Sequence, residues 1–304
     1  MGYGGRVVPE LRPLEENMSK TVVVTGANSG IGLATAIELA QAGYDVIGTA
    51  RSADKAEQLR DAAGQKGTAL RTVLLDVADE DSTREGFAQV DSMTDGGPWA
   101  VVNNAGFAQA GAVEDVSSED ARYQLEVNLV APARIAQLVL PGMRERGDGR
   151  IVNVSSIAGR VSTPLTGWYC ASKHGLEALS DALRMEVAQF GVKVVLIEPG
   201  GFGTGIWDAG HDSFPAPQGS AYGAVYDRAR AVTLQGKRLP DPVWVGRAVR
   251  VALAAPAPQA RYLVGVDAMA MAVGDALVPT VLGDYVKGVG AGLRRLAPLP
   301  FLRR

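Results

Sequence analysis

Cysteine is nearly absent. Cys170 is the single thiol in 304 residues, which excludes an intramolecular disulfide and a cysteine-rich metal site, and two histidines leave little material for zinc. No metal is expected, and a reducing, cytoplasmic setting fits. There is no strong charge imbalance either: a formal net charge of −3 gives no electrostatic reason to expect nucleic acid. Long uncharged apolar runs are missing. The most apolar late stretch, 262–283, is interrupted by Asp267 and Asp275, so no transmembrane segment is expected. The first residues carry Glu10, Glu15 and Glu16 in place of a basic start and an apolar run, so no secretory signal is expected. No GKS or GKT follows the glycine-rich turn, which disfavours a P-loop. What is present is ordinary for a globular chain with a substantial core: 47% hydrophobic and 21% charged residues, with nothing in the middle resembling a linker.

The stretch TVVVTGANSGIG, residues 21–32, organises the rest. Residues 21–24 read as a buried strand, and the periodic apolar positions Ile31, Leu33, Ala36, Ile37 and Leu39 read as a helix. Three glycines separate them. Gly26 permits the tight turn, Gly30 lets the backbone approach a pyrophosphate, and Gly32 lets the helix lie close to the sheet. Asn28, Ser29 and Ile31 fill out the turn, and the helix start offers N–H groups and a positive dipole end to phosphates. The spacing TGxxxGIG has one residue more between its first glycines than the common GxGxxG, and alone it is also compatible with an ordinary tight turn.

Residues 1–17 show neither helical nor strand periodicity and are expected to be a flexible tail; Met18 is an alternative natural start. Residues 44–50 read as the second strand. An acid at its end would accept from the ribose hydroxyls of NAD, whereas an arginine would pair with the 2′-phosphate of NADP. Asp45 lies at the wrong end, and the strand finishes at Arg51. NADP(H) is therefore preferred over NADH, with Arg51 as the phosphate clamp and Ser52 or Ser29 as helpers. Alternation continues with a strand at 69–75, a helix at about 81–90 and a strand at 100–103, predicting a parallel sheet with helices on both faces. Ligands bind such sheets at the carboxyl ends of the strands. Asp76 with Val77 falls at one such end, where the carboxylate would accept from an adenine amino group. Asn104, Ala105 and Gly106 fall at another and suit close passage of the cofactor; either group is also compatible with turn chemistry.

A long helical segment runs from 118 toward 146 with Asn128 and Pro132 inside it. Proline crowds the carbonyl four residues back, that of Asn128, so a kink is predicted there. After an apolar strand at 151–155 come Ser156 and, thirteen residues on, Tyr169, with Lys173 four residues beyond it. On a helix Tyr169 and Lys173 share one face. The cation is expected to lower the phenol's titration from about 10 toward the working pH, as a general acid or base requires.

In this order and spacing, TGANSGIG, Asp76, NNAG from Asn103, Asn128, Ser156, YCASK from Tyr169 to Lys173, and Pro199-Gly200 followed by Thr204 resemble the classical short-chain dehydrogenase/reductase family. The resemblance spans roughly 20–265. It implies a single-domain Rossmann-like α/β fold, a doubly wound parallel sheet of about seven strands. It also implies hydride transfer between NADP(H) and a ketone, aldehyde or secondary alcohol. By that resemblance Tyr169 is the general acid/base, Ser156 holds the substrate oxygen, Lys173 holds the nicotinamide ribose, Asn128 keeps a water linked to Lys173, and Thr204 touches the cofactor. The IEPGGFGT and RYLVG segments are similar to 17β-hydroxysteroid and retinol dehydrogenase-like members, which points to an apolar steroid-, retinoid- or lipid-like substrate.

The expected catalytic unit is 18–266, with a substrate lid at 205–240 and a helical extension at 267–304. Ile206, Trp207, Phe214, Tyr222 and Tyr226 are candidates to line an apolar pocket, with His211 as a polar contact; alternatively these aromatics hold the lid to the core. The extension is expected to pack on its own subunit or a neighbour in preference to a membrane surface. Family resemblance suggests a homodimer or homotetramer through the helices bearing Asn128 and Tyr169. Competing readings are a non-catalytic NADP-binding sensor or scaffold, a 3-oxoacyl thioester reductase, and an epimerase or dehydratase with no net consumption of NADPH.

Overall fold

Valine-rich runs build the sheet. The computed structural model describes residues 20–203, 216–234 and 239–293. The strands are β1 (Thr21–Val24), β2 (Asp45–Ala50), β3 (Arg71–Leu74), β4 (Ala100–Asn103), β5 (Gly149–Val154), β6 (Val192–Pro199) and β7 (Arg261–Val264). They form one sheet of seven in the order β3-β2-β1-β4-β5-β6-β7, and every pair is parallel. The chain steps outward from β1 to β3 and then returns to place β4 on the other side of β1. That reversal opens a crevice at the carboxyl ends of β1 and β4, where doubly wound sheets bind ligands.

Helices cover both faces. These are α1 (Gly30–Gln41), α2 (Ala53–Gln65), α3 (Glu80–Ser92), α4 (Ser118–Leu125), α5 (Ala131–Arg146), α6 (Gly167–Val187), α7 (Gly223–Leu234), α8 (Val243–Ala254), α9 (Val266–Leu277) and α10 (Thr280–Ala291). Successive strand residues point to opposite faces, so β1 divides its valines between two cores. Val22 and Val24 pack with Leu39, Val249 and Leu253, whereas Val23 packs with Ile135, Val139 and Met143. Both faces are apolar, as parallel sheets require.

The kink expected at Pro132 takes the form of a wide turn. A π-helical segment, Glu126–Val130, separates α4 from α5, and Pro132 falls in the first turn of α5, where its missing N–H costs little. Among the described residues the C-terminal extension holds the helices α9 and α10, with apolar side chains left exposed at Val266, Val273, Leu277 and Val281. Among the described residues no helix is long and apolar enough to cross a membrane.

Candidate active site

The glycine turn is locked to the end of β4 by one hydroxyl. Thr25 Oγ1 accepts from the backbone amides of Asn104 and Ala105, each at 3.0 Å, while Asn104 Nδ2 donates to the carbonyls of Thr25 at 2.9 Å and Gly26 at 3.2 Å. Gly26 and Gly30 have φ of +61° and +53°, in the left-handed region. A Cβ on Gly32 would overlap the Gly26 carbonyl and come within 2.5 Å of Asn104 Nδ2. The cradle is thus a backbone surface that no larger residue could form. Ser29 stands in extended conformation ahead of α1 and its side chain makes no capping bond, so the first N–H groups of α1 stay available to phosphate.

A cleft of about 500 Å3 opens from this cradle, within the usual size range of small-molecule sites. Its lining includes Gly26, Asn28, Ser29, Gly30, Ile31 and Gly32, then Arg51, Asp76, Val77, Asn104, Ala105 and Gly106, and finally Ser156, Tyr169, Lys173, Pro199 and Gly200. Of the sequence candidates among the described residues, Ser52, Asn128, Tyr222 and Tyr226 are not in that lining. Ser52 caps α2, its hydroxyl accepting from Lys55 N at 3.4 Å. Asn128 is buried behind the cleft: its Nδ2 donates to Phe107 O at 2.9 Å and Ser172 Oγ at 3.1 Å, and its Oδ1 accepts from Phe107 N at 3.2 Å. Asn128 therefore holds the loop that follows Gly106. Asp45 is at the far end of β2, ion-paired with Arg71. Asp76 makes a local turn, its Oδ1 accepting from Ala78 N at 3.0 Å.

Three features were not foreseen. Lys55, four residues after Arg51, also lines the cleft and adds a further cation to it. Phe107, Tyr123, Val127 and Phe202 add an apolar wall. Asp267 Oδ2 accepts from Gly201 N at 2.7 Å and so holds the loop containing Gly200. Only the first left a signal in the sequence, a lysine in the first turn of the helix that follows Arg51.

At the end of β5, Ser156, Tyr169 and Lys173 are all buried. Ser156 Oγ accepts from Ala158 N at 3.1 Å, which orients it at the start of a 3-10 turn, Ile157–Gly159. The expected lowering of the Tyr169 titration is not what the site produces. Burial pushes the phenol up to about 12, opposed by a hydrogen bond with Ser156, with the neighbouring Cys170 a smaller raising influence. Lys173 is itself pulled down to about 8 by burial, against the raising field of Glu177. Its Nζ donates to Val154 O at 2.9 Å and lies 5.9 Å from the Tyr169 ring centroid. Desolvation is the largest influence on both groups because both lie inside the protein.

Thr204, Ile206, Trp207, His211 and Phe214 lie outside the described residues. Tyr222 and Tyr226 do not line the cleft. Tyr226 is buried with its hydroxyl donating to Asp115 Oδ2 at 2.9 Å and accepting from Ala112 N at 2.8 Å, so it holds α7 to the core. Tyr222 packs beside it, partly buried.

The family model for short chain dehydrogenases matches residues 20–212. Retinol dehydrogenase 16 of Homo sapiens is 36% identical over 292 residues, 91% of this chain and 90% of that one. The 17-beta-hydroxysteroid dehydrogenase type 6 of Homo sapiens is 35% identical over 283 residues, covering 88% of this chain and 87% of the relative. Among solved structures, a metagenomic short-chain oxidoreductase in complex with NADP superposes with a TM-score of 0.64 at 26% identity, over 81% of this chain and 96% of the other.

Proposed function

Since the chain belongs to the short-chain dehydrogenase family, we propose that this oxidoreductase uses NADP(H) to interconvert an apolar ketone or aldehyde and its alcohol. The observation that carries the reading is the convergence of buried Ser156, Tyr169 and Lys173 on one cleft with the glycine cradle. A cradle that only glycine can form, with Arg51 and Lys55 at its rim, fits a phosphorylated dinucleotide. Arg51 and Lys55 bind the 2′-phosphate, Asp76 and Val77 receive the adenine, and Pro199, Gly200 and Thr204 bound the nicotinamide end. When bound, the nicotinamide supplies or accepts the hydride.

The chain's own part is to hold the carbonyl and move one proton. Ser156 donates to the substrate oxygen, and Tyr169 delivers its phenolic proton to the same atom as it becomes an alkoxide. A phenol that burial pushes up to about 12 holds its proton at neutral pH and gives it up only as the carbonyl oxygen takes on negative charge. Lys173 then stabilises the phenolate, and Asn128 supports the proton path to solvent. The apolar wall of Phe107, Tyr123, Val127 and Phe202 supports a steroid-, retinoid- or lipid-like substrate, as do the names of the two human relatives. The reading includes a lid at 205–240, a cytoplasmic setting, and a homodimer or homotetramer. Exposed Val130 on the Asn128 segment and Met185 on α6 support assembly through those helices.

Loss of NADPH absorbance, with NADH in parallel, across steroid ketones, retinal, aliphatic aldehydes and acetoacetyl thioesters tests the reading, with Tyr169→Phe as the blank. Turnover that prefers NADPH and disappears in the variant is expected. Tight NADPH binding without turnover of any compound would favour a cofactor sensor instead.

A further inference from the structure

Tyr169, Lys173, Glu177 and Asp181 recur every four residues on α6 and form a slowly turning stripe about 18 Å long. The stripe leads from the cleft to the surface: Tyr169, Lys173 and Glu177 are buried, and the Asp181 side chain is 43% exposed. Two of these groups have roles in the proposed reaction, and Glu177 has none so far. Its Oε2 accepts from Arg261 Nε at 3.0 Å, and its Oε1 is buried with no hydrogen-bond partner among the described residues. A Cβ placed on Gly159 would lie 2.8 Å from Ser155 Oγ, 3.0 Å from Glu177 Cγ and 3.2 Å from Lys173 O. The Glu177 side-chain stem therefore packs at Gly159, in the turn that follows Ser156, beside the Lys173 carbonyl.

The charges around it nearly balance. Arg261 also meets Glu198 Oε1 at 3.2 Å and Asp181 Oδ2 at 2.6 Å. Arg160 pairs with Glu198 at 2.7 Å, and Arg184 pairs with Asp181. Three carboxylates, from α6 and β6, thus face three guanidinium groups, from α6, β7 and the turn after Ser156. Lys173 is the additional cation, and its ammonium donates to a carbonyl, not to a carboxylate. A buried carboxylate with a spare oxygen is costly unless it serves a neighbouring charge.

We propose that Glu177 is a positioning residue whose buried carboxylate, anchored by Arg261, keeps Lys173 charged behind Tyr169. The inference deepens the proposed acid–base reading and rests on it only for the catalytic consequence. It adds a link between the cleft and the surface pair Arg261–Asp181. A change at that pair alters the field at Lys173 without touching substrate or cofactor.

The test reads Lys173 directly. Protein labelled with 13C at lysine Cε, which contains seven lysines, is titrated by NMR, with Lys173→Met assigning the signal. In the wild type the Lys173 signal is expected to move near pH 8. In Glu177→Gln its midpoint shifts to lower pH, whereas Glu177→Asp keeps it nearer the wild-type position. Arg261→Gln, which removes a positive neighbour, shifts it upward, so the two variants give opposite signs and either one alone suffices if the other fails to fold. Where turnover is measurable, the alkaline limb of the kcat profile moves with the NMR midpoint. A Lys173 midpoint that stays put in a folded, NADPH-binding variant overturns the proposal. A midpoint that moves in protein that reduces no carbonyl compound upholds the electrostatic link and overturns the reductase reading instead.

Discussion

The Lys173 ammonium donates to the Val154 carbonyl at 2.9 Å, which ties the second turn of α6 to the last residue of β5. Because Ser156 follows two residues after Val154 and Tyr169 lies one helical turn before Lys173, this one bond sets the phenol against the serine hydroxyl. It also takes the ammonium out of water.

That burial makes stability depend on pH in a definite direction. The Lys173 pKa falls from 10.5 to about 8 on folding, so between those values the unfolded chain binds more protons and stability rises with pH. Tyr169 has the opposite sign: its pKa rises from 10.0 to about 12, so its contribution is lost as pH climbs through that window. Urea unfolding of wild type and Lys173→Met at matched pH isolates the first effect. The wild type should gain up to ~3 kcal/mol relative to the variant between pH 8 and 10.5. Parallel curves would show that Lys173 is already solvated and charged.

Much of the fold was legible because each strand is short, apolar and closed by a turn signal. Residues 21–24 and 100–103 read as strands from β-branched runs, and these same residues form β1 and β4. The strand expected at 69–75 shortened to Arg71–Leu74 because only those residues pair with β2. Tyr169 and Lys173 were visible through spacing alone, since four residues on a helix fix a shared face. Their titration was not visible, because it depends on burial contributed by β5 and the turn after it. Tyr226 reads as a pocket aromatic in sequence, yet its hydroxyl is committed to Asp115, 111 residues away.

Cofactor preference should follow the two cations at the end of β2. Arg51→Ala removes a charge-assisted contact of roughly 1.5–3 kcal/mol, which predicts about 10- to 100-fold weaker NADPH binding with little change for NADH. Lys55→Ala should act in the same direction. Fluorescence titration with both cofactors checks it, and equal weakening of NADH would mean that Arg51 supports the loop without reading the phosphate.

Two glycines on helices that flank β2 should respond oppositely to alanine. In Gly32→Ala the methyl meets backbone oxygen and the Asn104 amide, neither of which is a flexible side-chain end, so a loss of ~1–3 kcal/mol and weaker cofactor binding are expected. Gly64 in α2 has nothing within 4 Å of its would-be Cβ, and alanine there should add ~0.5–1 kcal/mol. Thermal unfolding of both variants separates crowding from helix propensity.

Asp267 connects the C-terminal helices to the cleft. Its carboxylate sits in the first turn of α9, where the helix dipole favours it, and accepts from Gly201 N at 2.7 Å. A Cβ on Gly200 would overlap both of its oxygens, so alanine there would push the carboxylate off Gly201 N. Asp267→Ala should loosen the Pro199–Gly200–Gly201 loop and weaken NADPH binding by about 3- to 10-fold, less than a full charged hydrogen bond because the site is exposed and Gly200 N still donates to Val264 O. Asp267→Asn, which retains an acceptor, should lose less. The sharper test is coupling: Gly200→Ala must be harmful in the wild type and much milder once Asp267→Ala has removed the oxygens it would strike. If the two losses simply add, the loop is held by something other than Asp267, and the C-terminal helices have no direct hold on the cleft.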